Sequence, residues 1–393
     1  MLSEKRKEEV INLCQELIRI KSYSGEEGEL AEKLKNTFLE MGFDETFIDS
    51  YGNVIGHIKG KNSGKCILLD GHIDTVPVDE SKWTKDPFGG EIESGRIYGR
   101  GASDMKGAVS AMVCAAAYFA EDMKKDFNGD IYVAGVVHEE CFEGVAARKI
   151  SEKVKPDYVI IGEASECNLK RGQRGRAEIV VETYGKAAHS SNPQNGINAV
   201  YNMMKLLEKI RKIKVNHHEV LGDGILELTD IISSPYPGAS VLPSLCRVTF
   251  DRRLLVGETP ESVLKPIQEI IVQMENEDPN FKAKVYFAKG EERCYTGEKI
   301  MAERFFPAWL FDVEEDFVKK AYQGLKEQGL EPAITHYSFC TNGSHYAGEA
   351  NIKTIGFGPS KENLAHIDDE YIEIDQLLKA VRGYYGIIKA LLS

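Results

Sequence analysis

Apolar residues near the start of the chain recur at helical spacing: Val10, Ile11, Cys14, Leu17 and Ile18 predict a helix over residues 4–20. Glu29 to Leu39 predicts a second helix. From there to about residue 176, short apolar runs alternate with helical patterns. The strands Ile67–Leu69, Ile131–Val137 and Tyr158–Ile161 and the helix Lys106–Ala120 are examples. Such alternation predicts a largely parallel sheet covered by helices.

The pattern changes near Arg176. Residues 177–184 alternate more than the strands before them, and Ile197–Ile210 reads as an amphipathic helix with Val200, Met204, Leu207 and Ile210 on one stripe. Leu226–Ile232 reads as a strand, and Cys246, Val248 and Phe250 alternate with Arg247, Thr249 and Asp251. Thr259-Pro260 opens a helix that runs through Met274. Pro266 inside that helix predicts a kink or a late start. Phe281, Ala283, Val285 and Phe287 alternate again. This β-α-β-β-α-β order is the split ferredoxin-like unit. After about residue 293 the α/β pattern returns, with a helix near Val313–Gln328 and the strand Ile352–Phe357. The expected architecture is therefore a mostly parallel α/β domain, residues 1–176 and 294–393, interrupted by a smaller α+β insert, residues 177–293.

Composition narrows the function classes. The chain has 393 residues, with 49 Lys and Arg against 62 Asp and Glu, a net charge of −13. An acidic surface argues against nucleic acid or an anionic membrane as partner, because both need clustered basic residues. The nearly apolar run Ala108 to Ala120 falls short of the ~20 residues that span a bilayer. The N-terminus shows no signal-peptide pattern. Eight cysteines are scattered without a C-x-x-C pair, as expected of reduced thiols in the cytoplasm.

Four chemically loaded clusters follow apolar strand runs. Ile67–Leu69 leads into Asp70-Gly71-His72-Ile73-Asp74, and Ile131–Val137 into His138-Glu139-Glu140. Tyr158–Ile161 leads into Gly162-Glu163, and Ile352–Phe357 is followed by His366-Ile367-Asp368. Open α/β sheets keep their ligands outside the carboxyl ends of the strands. Asp74, two residues from His72 and on the same face of extended chain, is placed to accept a hydrogen bond from the His72 ring. Asp104 lies in the glycine-rich Gly99-Arg100-Gly101-Ala102-Ser103-Asp104, where a helix N-cap is the plain alternative. Adjacent acids such as Glu139 and Glu140 repel, and a divalent cation relieves both repulsion and burial cost. Mixed nitrogen and oxygen ligands suit Zn²⁺, Mn²⁺ or Co²⁺.

Taken together, these residues resemble the M20 co-catalytic metallopeptidases and amidohydrolases, a group that includes succinyl-diaminopimelate desuccinylases, acetylornithine deacetylases, aminoacylases and carboxypeptidases. The matching segments are Leu69–Pro77, Tyr98–Gly107, His138-Glu139-Glu140, Gly162-Glu163-Ala164 and His366, with Trp83, Pro87 and Phe88. Gly107-Ala108 stands where many members have Gly-Gly. The segments 338–343 and 354–359 are similar to the selenium-metabolism-linked hydrolases of the same group.

The resemblance implies a zinc-peptidase-like catalytic domain with two divalent ions, zinc first and cobalt or manganese as alternatives. His72 and Glu163 would hold one ion and Glu140 and His366 the other. Asp104 would bridge them beside a cis peptide. Glu139 would be the general base for a metal-bridging hydroxide attacking an amide or peptide bond. His189, from the insert of a partner subunit, would stabilise the oxyanion. Arg253, Asn342 and Gly343 would meet the substrate, a small N-acyl amino acid or short peptide, and the insert would serve as lid and homodimer interface. The competing readings are a catalytically silent scaffold on the same fold and a single-metal aminopeptidase.

Overall fold

The computed structural model describes residues 2–393. The chain forms two compact units. The first holds the residues up to Gln173, Glu291–Ala302 and Trp309–Ser393; the second holds Arg174–Gly290 and Glu303–Ala308. The expected breaks at 176/177 and 293/294 lie a few residues after the observed ones. Glu303–Ala308 belongs with the second unit because Phe305 and Phe306 pair with Ala177 and Arg176.

The first unit is built on a nine-stranded sheet. Its centre is parallel: Asn128–Val136, Asn62–His72, Tyr158–Ile161 and Lys353–Gly356 lie side by side in that order. These strands are buried on both faces, which is why they read as unbroken apolar runs. The strand Asn62–His72 begins ahead of its apolar run, since Asn62 to Lys65 are exposed. The helix Gly107–Asp122 is buried all round through Ala120 and packs beside the helix Ile374–Leu392. An apolar helix without a polar face belongs in an interior. No helix among the described residues is long and apolar enough to cross a membrane.

The second unit is an antiparallel sheet with two helices. Its strand order is Ile225–Ser234, Leu245–Leu254, Gly175–Tyr184, Lys282–Phe287, the order a ferredoxin-like unit requires. The helix Ala199–Ile210 buries Ala199, Met203, Leu206 and Ile210, whereas Met204 is 55% exposed. The expected stripe through Val200 and Met204 is thus rotated, because the helix carries apolar residues on two faces and packing selects one. The helix Pro260–Glu277 does not start late. Thr259 and Ser262 form a capping box that fixes its first turn, and Pro266 lies within it.

Candidate metal centre

Parallel register brings the first ligands together. Asp70 pairs with Ile161 on the neighbouring strand, so His72 and Glu163 leave the sheet at the same level. Gly162 lets the chain pass close to the buried helix there: a Cβ would lie 1.9 Å from Met112 Cε, so that side chain would have to move. His138, Glu139 and Glu140 follow the strand on the other side of Asn62–His72. Asp104 comes from the loop before the buried helix, and its peptide bond to Met105 is cis. Gly101 in that loop has φ +82°, and a Cβ would meet Thr75 Cγ2 at 2.8 Å.

His72, Asp104 and Glu163 offer ligand atoms within 4.8 Å of one another, and so do Asp104, Glu140 and His366. Asp104 belongs to both groups and gives each a different oxygen. Oδ1 is 2.8 Å from His72 Nε2, and Oδ2 is 3.2 Å from His366 Nε2. His72 Nε2 is also 3.5 Å from Glu163, and His366 Nε2 is 2.9 Å from Glu140. His72 and Glu163 are buried, whereas the His366 side chain is 52% exposed, on backbone with φ +64°.

The electrostatics are those of an anion-rich hole. Burial, and after it Asp104, pushes Glu163 up to about 8. The same two causes raise Glu140. Burial drives Glu139 well above the carboxylate range; His72 opposes this and the charges of Glu163 and Glu140 add to it. Burial would likewise raise Asp104, but hydrogen bonds from His366 and His72 outweigh it and hold the group low. His366 rises to about 10 through its bonds to Asp104 and Glu140. Burial opposes the same rise in His72, but Asp104 and the neighbouring acids outweigh it. The His72 and His366 rings therefore sit where cations are wanted, facing four carboxyl groups. The donor set is mixed imidazole and carboxylate, the shared carboxylate has one oxygen per group, and the ring nitrogens already face the acids. These residues fit a pair of divalent ions.

The supporting contacts differ in one respect from expectation. His72 Nδ1 donates to the backbone carbonyl of Asp74 at 2.9 Å, not to its carboxylate, which is 3.7 Å away. The Asp74 carboxylate is turned to the next strand end, where it accepts from the N–H groups of Glu139 and Glu140 and from Ser24 Oγ. The His72 tautomer is still fixed, with Nε2 left for the ligand side. Glu27 and Ser22, which sequence reading passed over, join this frame. Glu27 accepts from Gly25 N and His138 N, and Ser22 Oγ donates to Ile73 O. Short-range pattern gives no hint of them, because buried acids look like surface acids until their partners are known.

The remaining predicted residues are not members of the two ligand groups. Asn342 is only 2% exposed. Its amide donates to Asp70 and accepts from Gly144 N, so both ends are engaged inside the protein. Gly343 N donates to Thr341 Oγ1. Arg253 and His189 belong to the second unit. The Arg253 guanidinium donates to Asp251 at 2.8 Å. His189 is exposed and its Nδ1 accepts from Ser191.

The chain is similar to known proteins over most of its length. The profile described as "Peptidase family M20/M25/M40" matches residues 68–390. The Escherichia coli (strain K12) protein YgeY is 32% identical over 98% of this chain and 96% of its own length. The acetylornithine deacetylase of Buchnera aphidicola subsp. Schizaphis graminum is 28% identical over 78% of this chain and 76% of its own. Among solved structures, Bacillus subtilis YXEP, described as a dinuclear metal-binding peptidase of the M20 family, superposes with a TM-score of 0.74 at 14% identity and covers 100% of both chains. At that identity the likeness shows the fold.

Proposed function

The chain belongs to peptidase family M20/M25/M40, a metal-dependent family of hydrolases, and from that premise we propose that it is a two-ion hydrolase of the amide bond in small N-acyl amino acids or short peptides. The observation that carries the reading is the division of Asp104, one oxygen toward His72 and the other toward His366. His72 and Glu163 would hold one ion, Glu140 and His366 the other, and Asp104 both; zinc suits the donors first, with cobalt and manganese close behind. Bound there, such ions supply Lewis acidity and make water a nucleophile at neutral pH.

The chain's own residues do the rest. Glu139 is buried beside this site, with its carboxylate biased toward accepting a proton. It takes the proton of the attacking water and delivers it to the leaving nitrogen. Asp74 holds the two N–H groups of Glu139 and Glu140 and so aims the base and the adjacent ligand. His189 is assigned to the developing oxyanion, contributed by a partner subunit. Arg253 and Gly343 are assigned to the substrate side, and Asn342 acts indirectly by joining Asp70 to the 143–144 turn.

The homodimer is assigned to the second unit. Its outer strand Ile225–Ser234 has a sheet neighbour on one side only and exposes Ile225, Leu228, Ile231 and Ile232. Exposed apolar edge strands are natural templates for a second chain. The reading places the enzyme in the cytoplasm, consistent with eight cysteines present as thiols.

The test is a screen of N-acyl amino acids and dipeptides with Zn²⁺, Mn²⁺ and Co²⁺ added separately, beside metal analysis of the purified protein. Hydrolysis of at least one amide, with about two ions per chain, is the expected result. One ion per chain would favour a single-metal enzyme. No ion and no turnover would favour a scaffold.

A further inference from the structure

Glu370 is an acid with no contact to solvent, and its exposure is 0%. Its carboxylate accepts four hydrogen bonds, all from one loop. Oε2 takes Arg100 Nη1 at 2.6 Å and Gly101 N at 3.1 Å; Oε1 takes Ser103 N at 2.8 Å and Asp104 N at 3.0 Å. Its backbone carbonyl accepts from Gly99 N at 2.8 Å. An ionised carboxylate has about four acceptor sites, so this one is saturated and cannot itself be a ligand or a base.

The place of Glu370 in the chain gives these bonds a second meaning. It lies four residues after His366. The residue before it, Asp369, accepts from Thr84 N, Thr84 Oγ1 and Lys85 N. The segment that carries His366 is thus anchored at its far end to two separate loops, and one of them carries Asp104. Glu370 Oε1 holds the backbone N–H of Asp104 itself, the residue common to both ligand groups.

We infer that Glu370 is the positioning residue of the two-ion site, holding the Asp104 loop and the His366 segment in one register so that both ligand groups are set together. The inference rests on the two-ion reading above. It makes Glu370 a residue that acts through Asp104 and His366 and never touches substrate. Glutamine at this position keeps the shape but offers one oxygen and an NH₂ group, so two of the four donors would face another donor. Outer partners of metal ligands typically alter metal affinity by about 10–100-fold when removed.

The experiment is a Co²⁺ titration of metal-free wild type, Glu370→Gln, Glu370→Asp and a control, Glu258→Gln, read by calorimetry and by the visible absorption of bound cobalt. Glu258 is a carboxylate in the second unit that accepts from Arg252 and Leu255 N, so its loss imitates the structural cost of losing Glu370. In Glu370→Gln, both cobalt equivalents should weaken about 10–100-fold and the absorption should change, with kcat reduced more than KM is raised. Glu370→Asp, which keeps the charge, should fall between this variant and wild type, and it carries the test if the glutamine variant does not fold. The control should melt at a lower temperature and bind cobalt as wild type does. Unchanged cobalt binding in Glu370→Gln, even with a lower Tm, would overturn the inference, and so would weakening of one equivalent alone. Failure of wild type itself to bind two cobalt ions would instead defeat the two-ion reading.

Discussion

Two clusters in the first unit use the same residue types and reach opposite electrostatic states. In the candidate metal centre, two histidines face Asp104, Glu139, Glu140 and Glu163, and burial with mutual repulsion raises three of the four acids. In the second cluster, Glu349 accepts from His345 Nδ1 at 2.7 Å and from both Arg148 Nε at 3.0 Å and Nη2 at 2.6 Å, while His345 Nε2 meets Ser151 Oγ at 2.7 Å. Burial would raise Glu349, but the bonds from His345 and Arg148 outweigh it and hold the group at about 2. One cluster has more acids than the protein can neutralise; the other has its own guanidinium. A histidine beside a carboxylate therefore says little about metal. The surplus of buried carboxyl groups over basic partners is what distinguishes a site built for an external cation.

The comparison breaks most visibly at Glu139. Its carboxylate is part of the surplus, yet it belongs to neither ligand group. Glu139→Gln should leave the ion content at the wild-type level and lower kcat by about 10²–10⁴-fold, the usual range for a general base. Turnover on the substrate found by the screen, measured beside metal analysis of the same sample, checks this. Near-normal kcat would remove Glu139 from its role; loss of metal would make it a ligand.

A change of sign at Glu163 sharpens the contrast further. Without ions this carboxyl is pushed up to about 8, so at pH 7 it is already largely neutral and Glu163→Gln should leave Tm unchanged or raise it. With ions present the same substitution removes a ligand and Tm should fall. A ligand at a hundred times its Kd stabilises the wild type by about 2.7 kcal/mol, and the variant should forfeit most of that. Glu349→Gln should lower Tm by the same amount with and without ions. Thermal melts of the two variants in chelator and in Zn²⁺ decide the matter. Equal losses in both media for Glu163→Gln would mean that its charge is not held for a cation.

Much of the site is legible in the amino-acid sequence alone. The ligands follow buried parallel strands, and such strands announce themselves as apolar runs, so His72, Glu139, Glu140 and Glu163 can be placed at one sheet edge by pattern. The ferredoxin-like unit is legible for the same reason, its strands alternating with period two. What stays hidden has no local pattern. Glu370 reaches partners 266 to 270 residues away along the chain, and Glu27 reaches His138 across 111 residues. An acid buried by such distant donors carries the same letter as an acid on the surface. Asn342 misleads for a related reason, since its polar side chain is spent on Asp70, 272 residues distant. The helix Ala199–Ile210 misleads because Tyr201 and Met204 make a second apolar face that its own unit leaves exposed.

The smallest effect is a pH dependence that separates the clusters cleanly. Glu349 has its folded-state value lowered from the ordinary 4.5 to about 2. Its ionised form therefore stabilises the fold at every pH above about 4.5, and that contribution is lost as the pH falls toward about 2. Glutamine cannot titrate, so the gap in stability between wild type and Glu349→Gln should be constant above pH 4.5 and close progressively below it. The gap should be about 1 kcal/mol, modest because Arg148 is partly exposed. Taking the difference between the two proteins cancels the titration of the candidate metal centre, which both share and which runs in the opposite sense. Urea melts of the metal-free proteins at steps from about pH 7 down to about pH 3 measure it. A gap that stayed open at the acid end would show that the charge of Glu349 is not what binds this cluster, and the two clusters would then differ less than their geometry says.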